Sequence, residues 1–296
     1  MNEGEVKQQV RQFYDQVGWQ QVEDGNYQNA RYEDLRPVSA EYIHRCHLRV
    51  NRYLPDQGRF LLDAGSGPVQ YPEYLTYSQH YDYRVCVDLS IVALREARKR
   101  LGERGLFVVA DVSHLPFKNE AFDGAVTLHT FHHLPIEDTR RAYYDLFRVL
   151  AKGSRAVVVN GWTDSSLMAF FYGLVQLSEW LGAQYLALKG KKPPKKMKKA
   201  AAGRKTTAAP AKDGEGTYIQ KMDPDWLQRE LGGKIPFSIF VWRSVSVYWL
   251  RALIHRQLCG KWILKVLFWL EEKFPHYFGK IGQYPLIVIE KPASVE

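Results

Sequence analysis

From residue 60 onward, short unbroken apolar runs alternate with longer stretches whose apolar residues recur at helical spacing. The runs fall at 60–62, 84–88, 106–111, 124–129 and 155–159. A short run that is apolar on both of its alternating sides suits a strand covered on both faces, as in a parallel sheet. Between the runs, 90–101 reads as a helix with Ser90 as N-cap and a stop before Gly102. The segment 136–150 reads as a second helix, closing at Lys152-Gly153. Strand and helix in alternation predict an α/β fold, a doubly wound Rossmann-like sheet with right-handed crossovers.

After residue 160 the regularity breaks. The segment 164–188 predicts an apolar helix or a pair of helices, and Asp223-Pro224 the capped start of another. Residues 238–248 are β-rich with partial alternation, 249–273 predict one apolar and basic helix, and 284–290 a last strand. With these the sheet reaches seven strands, mostly parallel. A helix is expected over 39–54. The predicted organisation is an N-terminal helical cap (1–55), a ligand-binding core (56–162), a helical insertion after strand five (163–223) and the remainder of the core (224–296).

Composition changes this picture in one place. The chain has 296 residues, 46% of them hydrophobic, enough for one large domain with insertions. Its net charge of +9 is local: residues 189–212 hold ten Lys or Arg and no Asp or Glu. Without those ten, 31 basic residues face 32 acidic ones. The body is near neutral, so no general nucleic-acid surface is implied. The segment 189–216 is too poor in large apolar residues to offset its ordering entropy and is expected to be disordered. Contact of 189–212 with an anionic membrane surface is the partner its charge suggests. The longest uncharged apolar stretch, 165–178, has 14 residues, too few to span a bilayer. The polar start shows no signal peptide, and Cys46, Cys86 and Cys259 are too scattered for a disulfide framework or zinc site. A cytoplasmic, reducing location is expected, with or without peripheral membrane contact.

The candidate chemistry lies at the strand ends. Asp63, Gly65 and Gly67 follow the first strand, Asp88 ends the second, Asp111 the third and His129 the fourth. In a doubly wound sheet these positions converge on one crevice. A carboxylate ending strand two is placed for ribose hydroxyls, one ending strand three for an exocyclic amine, and Leu89 and Val112 for the faces of a flat base. The turn lacks a third glycine and a nearby cation, which disfavours a diphosphate.

In order along the chain, Leu61-Leu62-Asp63-Ala64-Gly65-Ser66-Gly67, Val87-Asp88-Leu89-Ser90, Ala110-Asp111-Val112, Phe122-Asp123-Gly124, His132-His133-Leu134-Pro135 and Phe147-Arg148-Val149-Leu150 resemble the class I S-adenosylmethionine-dependent methyltransferases. The resemblance is to the group that includes ubiquinone and menaquinone biosynthesis enzymes, and it spans about 57–160. It implies S-adenosylmethionine as cofactor. Gly65 and Gly67 would pass the methionine part, with Asp63 toward its ammonium. Asp88 would hold the ribose, Leu89, Asp111 and Val112 would border the adenine, and His129 would lie near the sulfonium. The family's third turn glycine falls at Val69. The cap would close the site through Tyr14, Tyr27 or Arg31.

No metal is expected, since His129, His132 and His133 lack a zinc spacing and have no cysteine nearby. Catalytic residues are not assigned by the motifs; His129, His133 and Tyr14 are the candidates. The expected activity is direct in-line methyl transfer to a small or lipophilic acceptor lying under the aromatic insertion. The alternatives are a nucleic-acid methyltransferase using the lysine run, a non-catalytic cofactor-binding scaffold, and a nicotinamide-dependent enzyme.

Overall fold

The computed structural model describes residues 3–15, 33–190 and 218–293. Tyr27, Arg31 and nearly all of the lysine-rich segment lie outside the described residues.

Seven strands form one sheet: β1 (Gly58–Ala64), β2 (Tyr81–Asp88), β3 (Gly105–Val109), β4 (Phe122–Leu128), β5 (Leu150–Val159), β6 (Phe237–Arg243) and β7 (Tyr284–Glu290). Their order is β3-β2-β1-β4-β5-β7-β6, with β7 antiparallel to both neighbours and the other pairs parallel. The helices are α1 (Glu3–Phe13), α2 (Ala40–Leu48), α3 (Pro72–Thr76), α4 (Ile91–Leu101), α5 (Ile136–Val149), α6 (Ser166–Phe170), α7 (Tyr172–Leu188), α8 (Pro224–Leu231), α9 (Val247–Leu253), α10 (Gly260–Lys273) and α11 (Pro275–Ile281).

The alternation within each strand assigns it to two cores. Leu62, Val85, Val87, Ala125, Ala156 and Val158 face α5 and α8, meeting Tyr143, Leu146, Trp226 and Leu227. Leu61, Cys86, Val126, Val157 and Val159 face the other way, meeting Tyr74, Tyr77, Leu94 and Ala97. Each such side chain contributes about 1.5–3 kcal/mol by leaving water. A third cluster joins α2, α7, α9 and α10 through Tyr42, Ile43, Val175, Trp249, Leu264 and Phe268.

Four boundaries differ from the sequence reading. The predicted helix over 249–273 is two, α9 and α10, broken where Ile254 and His255 turn extended, with a 3-10 turn (Arg256–Leu258) and left-handed Cys259 (φ 54°) leading into α10. The β-rich 238–248 stops at Arg243, because the Ser246 hydroxyl accepts the Trp249 amide and starts α9. The predicted stop at Lys152-Gly153 lies inside β5, which begins as soon as α5 ends. The helix expected over 39–54 ends at Leu48 and continues as a 3-10 turn, Arg49–Arg52.

Among the described residues no helix is long and apolar enough to cross a membrane. One face of α6 and α7 is nevertheless uncovered, with Phe170, Leu174, Leu177, Leu181, Tyr185 and Leu188 all exposed.

A buried carboxylate, Glu271, ties α10 to the sheet. It accepts from the Tyr42 hydroxyl at 2.7 Å, the Arg49 guanidinium at 2.9 Å and the Ser244 amide at 2.9 Å. Arg49 also donates to the Trp242 carbonyl at 2.7 Å. Removing one partner of such a pair leaves the other charge buried and uncompensated, which costs about 3–5 kcal/mol. Glu271→Ala is therefore expected to lose about that much stability in urea unfolding, whereas a loss below about 1 kcal/mol would show that the pair carries little of the structure.

Candidate functional site

Strand order reverses at β1, which pairs with β2 on one side and β4 on the other. Crossovers leave the two halves on opposite faces, so a crevice opens beyond the carboxyl ends of these strands. A cavity of about 530 Å³ lies there. Its wall includes Asp63, Gly65, Ser66, Gly67, Asp88 and Leu89 from the ends of β1 and β2, and Val112, His129, Thr130 and His133 from beyond β3 and β4.

The turn after β1 is built on left-handed backbone. Gly65 has φ 75° and Gly67 φ 53°. A Cβ on Gly65 would lie 2.2 Å from the Thr130 side chain, whose hydroxyl donates to the Gly65 carbonyl at 3.1 Å. Val69 also takes a positive φ, 52°, and is fully buried. The valine thus adopts the left-handed conformation that the missing glycine would supply at little cost.

Asp88 accepts the Gly67 amide at 2.9 Å and the Ser90 amide at 2.8 Å, one on each carboxylate oxygen. The turn and the second strand end are thereby locked together, with a lone pair left on each oxygen. Burial pushes the Asp88 carboxyl up to about 6, in spite of the amides. Asp63 lines the cavity but already has a partner: buried Arg84 donates to it through Nε at 3.0 Å and Nη2 at 2.6 Å. Burial raises its carboxyl pKa against the pull of that guanidinium.

Asp111 is not among the wall residues, although its neighbour Val112 is. Its carboxylate accepts the Ser113 amide at 2.9 Å and pairs with Lys7 of α1 at 2.6 Å. Lys7 also reaches the fully buried Asp138 at 2.7 Å. Burial opposes the Lys7 charge, but the two carboxylates outweigh it and its pKa is raised. Through this lysine α1 is clasped over the cavity, and Lys7, Val10, Arg11, Phe13 and Tyr14 form its roof.

The three catalytic candidates all reach the wall. His133 Nδ1 lies 2.9 Å from the Tyr218 carbonyl, which requires that nitrogen to carry the proton. Nε2 is then bare and accepts the Tyr14 hydroxyl at 2.8 Å. Burial pushes His133 down to about 4, so it is neutral at pH 7. His129 takes a left-handed backbone (φ 55°) that turns its ring into the cavity between Trp242 and Tyr284, at 4.9 and 5.7 Å. Burial and then Arg243 push it down to about 3. Among the described residues no cluster of His, Cys, Asp or Glu is arranged to hold a metal ion.

Among the described residues the aromatic helices do not form the expected lid. No described residue of α6, α7, α9 or α10 lines the cavity. These helices bury their inner faces against α2 and one another. The far wall comes instead from Glu33, Tyr71, Gly161, Ile219, Lys221, Arg243 and Tyr284. Glu33 is held by Arg243, and burial, opposed by Arg243 and His47, leaves its carboxyl at about 2. The segment 218–222 enters the wall because the Gln220 amide donates to the His132 carbonyl at 2.7 Å and Met222 bridges to Trp162. Arg84 and Arg243 left a signal in sequence, as basic residues next to apolar strand residues. Lys7 and Lys221 left none, since their partners and neighbours are remote in the chain.

With this geometry in view, residues 62–158 match the family model described as a methyltransferase domain. The match takes in the turns that wall the cavity and supports a class I S-adenosylmethionine-dependent methyltransferase domain there. A mouse (Mus musculus) protein named probable tRNA methyltransferase 9B is 28% identical over 130 residues, 43% of this chain. That alignment spans 28% of the mouse protein's own length. The methyltransferase fold is shared with the crystal structure of the [4+2]-cyclase SpnF, at TM-score 0.52 and 16% identity over 98% of each chain. It is also shared with phosphoethanolamine N-methyltransferase 1 of Haemonchus contortus, at TM-score 0.57 and 10% identity, over all of this chain and 51% of that one.

The depressed His133 has a consequence for stability. An unfolded histidine titrates near 6.5 and the folded one near 4, so between these values the unfolded chain binds more protons. The contribution is complete above pH 6.5 and is lost as pH falls toward 4. In thermal unfolding from pH 7 to pH 4.5, wild type is expected to lose more Tm than His133→Gln does. Parallel losses would show that His133 is not held neutral by burial.

Proposed function

We propose that this protein is an S-adenosylmethionine-dependent methyltransferase acting on a small or lipophilic acceptor, by direct in-line transfer. The observation that carries the proposal is one cavity whose wall joins two unlike sets of residues. One set is a glycine turn with no room for a side chain and a strand-end carboxylate. The other is neutral imidazoles and aromatic rings. Its volume, about 530 Å³, is within the range of small-molecule sites.

The residues present fit the cofactor. Gly65 and Gly67 admit close approach of a chain, the free lone pairs of Asp88 suit two ribose hydroxyls, and Leu89 and Val112 offer apolar faces to a base. Asp63, paired with Arg84, meets an ammonium with a carboxylate whose charge is already shared. Asp111 would serve the base through the position of Val112, its own oxygens being held by Lys7 and Ser113. When bound, S-adenosylmethionine supplies a methyl group already activated by a sulfonium.

The chain's remaining work is alignment and exclusion of water. The roof of α1, clasped by Lys7, excludes water. Tyr14, which donates to His133 and lines the same wall, stands where it would touch and orient the acceptor. His133, at about 4, is too weak a base to strip a proton in advance. It suits an acceptor that loses its proton together with transfer.

A fold likeness carries no reaction by itself, and the SpnF fold is described as that of a cyclase. A nucleic-acid acceptor is favoured by the mouse relative's name and opposed by the near-neutral body of this chain. The decisive experiment incubates the protein with labelled S-adenosylmethionine and a metabolite extract or total RNA. Label in a small-molecule fraction supports the proposal. Label in RNA alone, or tight NAD binding by calorimetry, overturns it.

Asp88 sets a pH dependence. With its carboxyl at about 6 in the free protein, binding of hydroxyl donors requires ionisation and pulls that value down. Affinity for S-adenosylhomocysteine is expected to be level above pH 7 and to fall several-fold by pH 5. Asp88→Asn should bind about 10–100-fold more weakly at pH 7.5, the worth of hydrogen bonds to a charged group. A pH-independent wild-type affinity would remove Asp88 from the site.

A further inference from the structure

The far end of the cavity holds an uncompensated charge. Lys221 lines the wall, and among the described residues its ammonium has no hydrogen bond and no ion pair. Every other charged group on that wall with a described environment is answered. Glu33 is answered by Arg243 and His47, Asp63 by Arg84, Asp88 by two backbone amides, and Lys7 by Asp111 and Asp138. The surroundings of Lys221 add no counter-charge. His129, His132 and His133 stand near enough for Lys221 to lower their pKa values, and burial holds all three neutral.

The lysine is held in this place by more than its own side chain. Two backbone links, Gln220 to His132 and Met222 to Trp162, pin the segment on either side of it. Gly161 faces it: a Cβ there would stand 3.1 Å from the ammonium nitrogen, so the absence of a side chain leaves that nitrogen clear. A cation half withdrawn from water, with no partner among the described residues, costs folding energy, and burial lowers its pKa accordingly. Such a group persists where a ligand completes the pair. Beside it Ile219, Tyr71 and Tyr284 offer apolar and aromatic surface.

We propose that Lys221 is the anion-binding point of the acceptor half of the cavity, so that the methyl acceptor carries a carboxylate or phosphate on an otherwise apolar body. The proposal rests on the reading of the opposite end as the cofactor site. The same chemistry has a second source, the α-carboxylate of the cofactor, and the test separates the two.

The probes are inorganic phosphate and acetate, titrated by calorimetry into wild type, Lys221→Met and Lys221→Arg, each alone and saturated with S-adenosylhomocysteine. The expected result is saturable binding of at least one probe to cofactor-saturated wild type. That binding should weaken at least about tenfold in Lys221→Met and be retained in Lys221→Arg. Affinity for S-adenosylhomocysteine should change less than about threefold, within what a group outside the cofactor's contacts produces. The Tm of ligand-free Lys221→Met should be at or above that of wild type, because a half-buried charge with no counter-charge among the described residues has been removed.

Equal anion binding by wild type and Lys221→Met, or none by either, overturns the proposal. So does a tenfold loss of S-adenosylhomocysteine affinity in Lys221→Met, or exclusion of the probe by S-adenosylhomocysteine, either of which assigns the lysine to the cofactor. A ligand-free Tm well below wild type marks a structural lysine and overturns it as well. Failure of wild type to bind S-adenosylhomocysteine at all sinks the cofactor reading, and the titrations of ligand-free protein then decide the anion point separately.

Discussion

The structure depends on the reversal of strand order between β1 and β4. Chain connections leave β1 and β4 on opposite faces, and nothing is left to fill the space beyond their carboxyl ends. Whatever follows those strands must turn sharply at the edge of a hole. After β1 the turn is made by Gly65 and Gly67, and after β4 by His129, all with positive φ. The two turns then meet, since the Thr130 hydroxyl donates to the Gly65 carbonyl and its methyl fills the place of a Cβ. A crevice that parallel topology opens is in this way given fixed walls.

Charge completes what topology begins. Ion pairs at three places bring segments remote in sequence to the crevice: Lys7, half-buried between Asp111 and Asp138, holds the roof, while the buried pairs Arg84 with Asp63 and Arg243 with Glu33 stiffen the end of β1 and close the far wall. Buried pairs of this kind contribute little net stability, because desolvation offsets their attraction. What they contribute is position, since a displaced partner would leave a charge without solvent or counter-ion. The wall that results is chemically mixed, with a glycine turn and strand-end carboxylates on one part and neutral histidines, aromatic rings and Lys221 on another.

Much of this was legible in the residues. Unbroken apolar runs marked β1 to β5 and β7, because strands covered on both faces have no polar positions to spare. Ser90 and Asp223 marked helix starts, and each side chain does accept the amide three residues on. Asp88 and Gly67 stood out at their strand ends and lie on the same wall, joined by a hydrogen bond. Where the reading differed, local pattern had competed with something non-local or subtler. The apolar 249–273 looked continuous, but extended backbone at Ile254 and His255 divides it. The aromatic insertion looked like a lid because apolar surface must be covered by something. In the fold α2 and α9 cover its inner face, and its outer face stays exposed.

The sequence by itself determined the sheet, its two covered faces and the glycine turn that opens the site, because each follows from periodicity and backbone freedom within a few residues. Only the tertiary structure decided that Asp111 turns to Lys7, that Tyr14 meets His133 across 119 residues, and that Lys221 reaches the cavity with no partner among the described residues. The physical reason is that a charge or hydrogen-bond donor is defined by what stands within a few ångströms of it. In this chain those neighbours come from the first helix, the turn after β4 and the segment before α8, which have no periodic relation to one another.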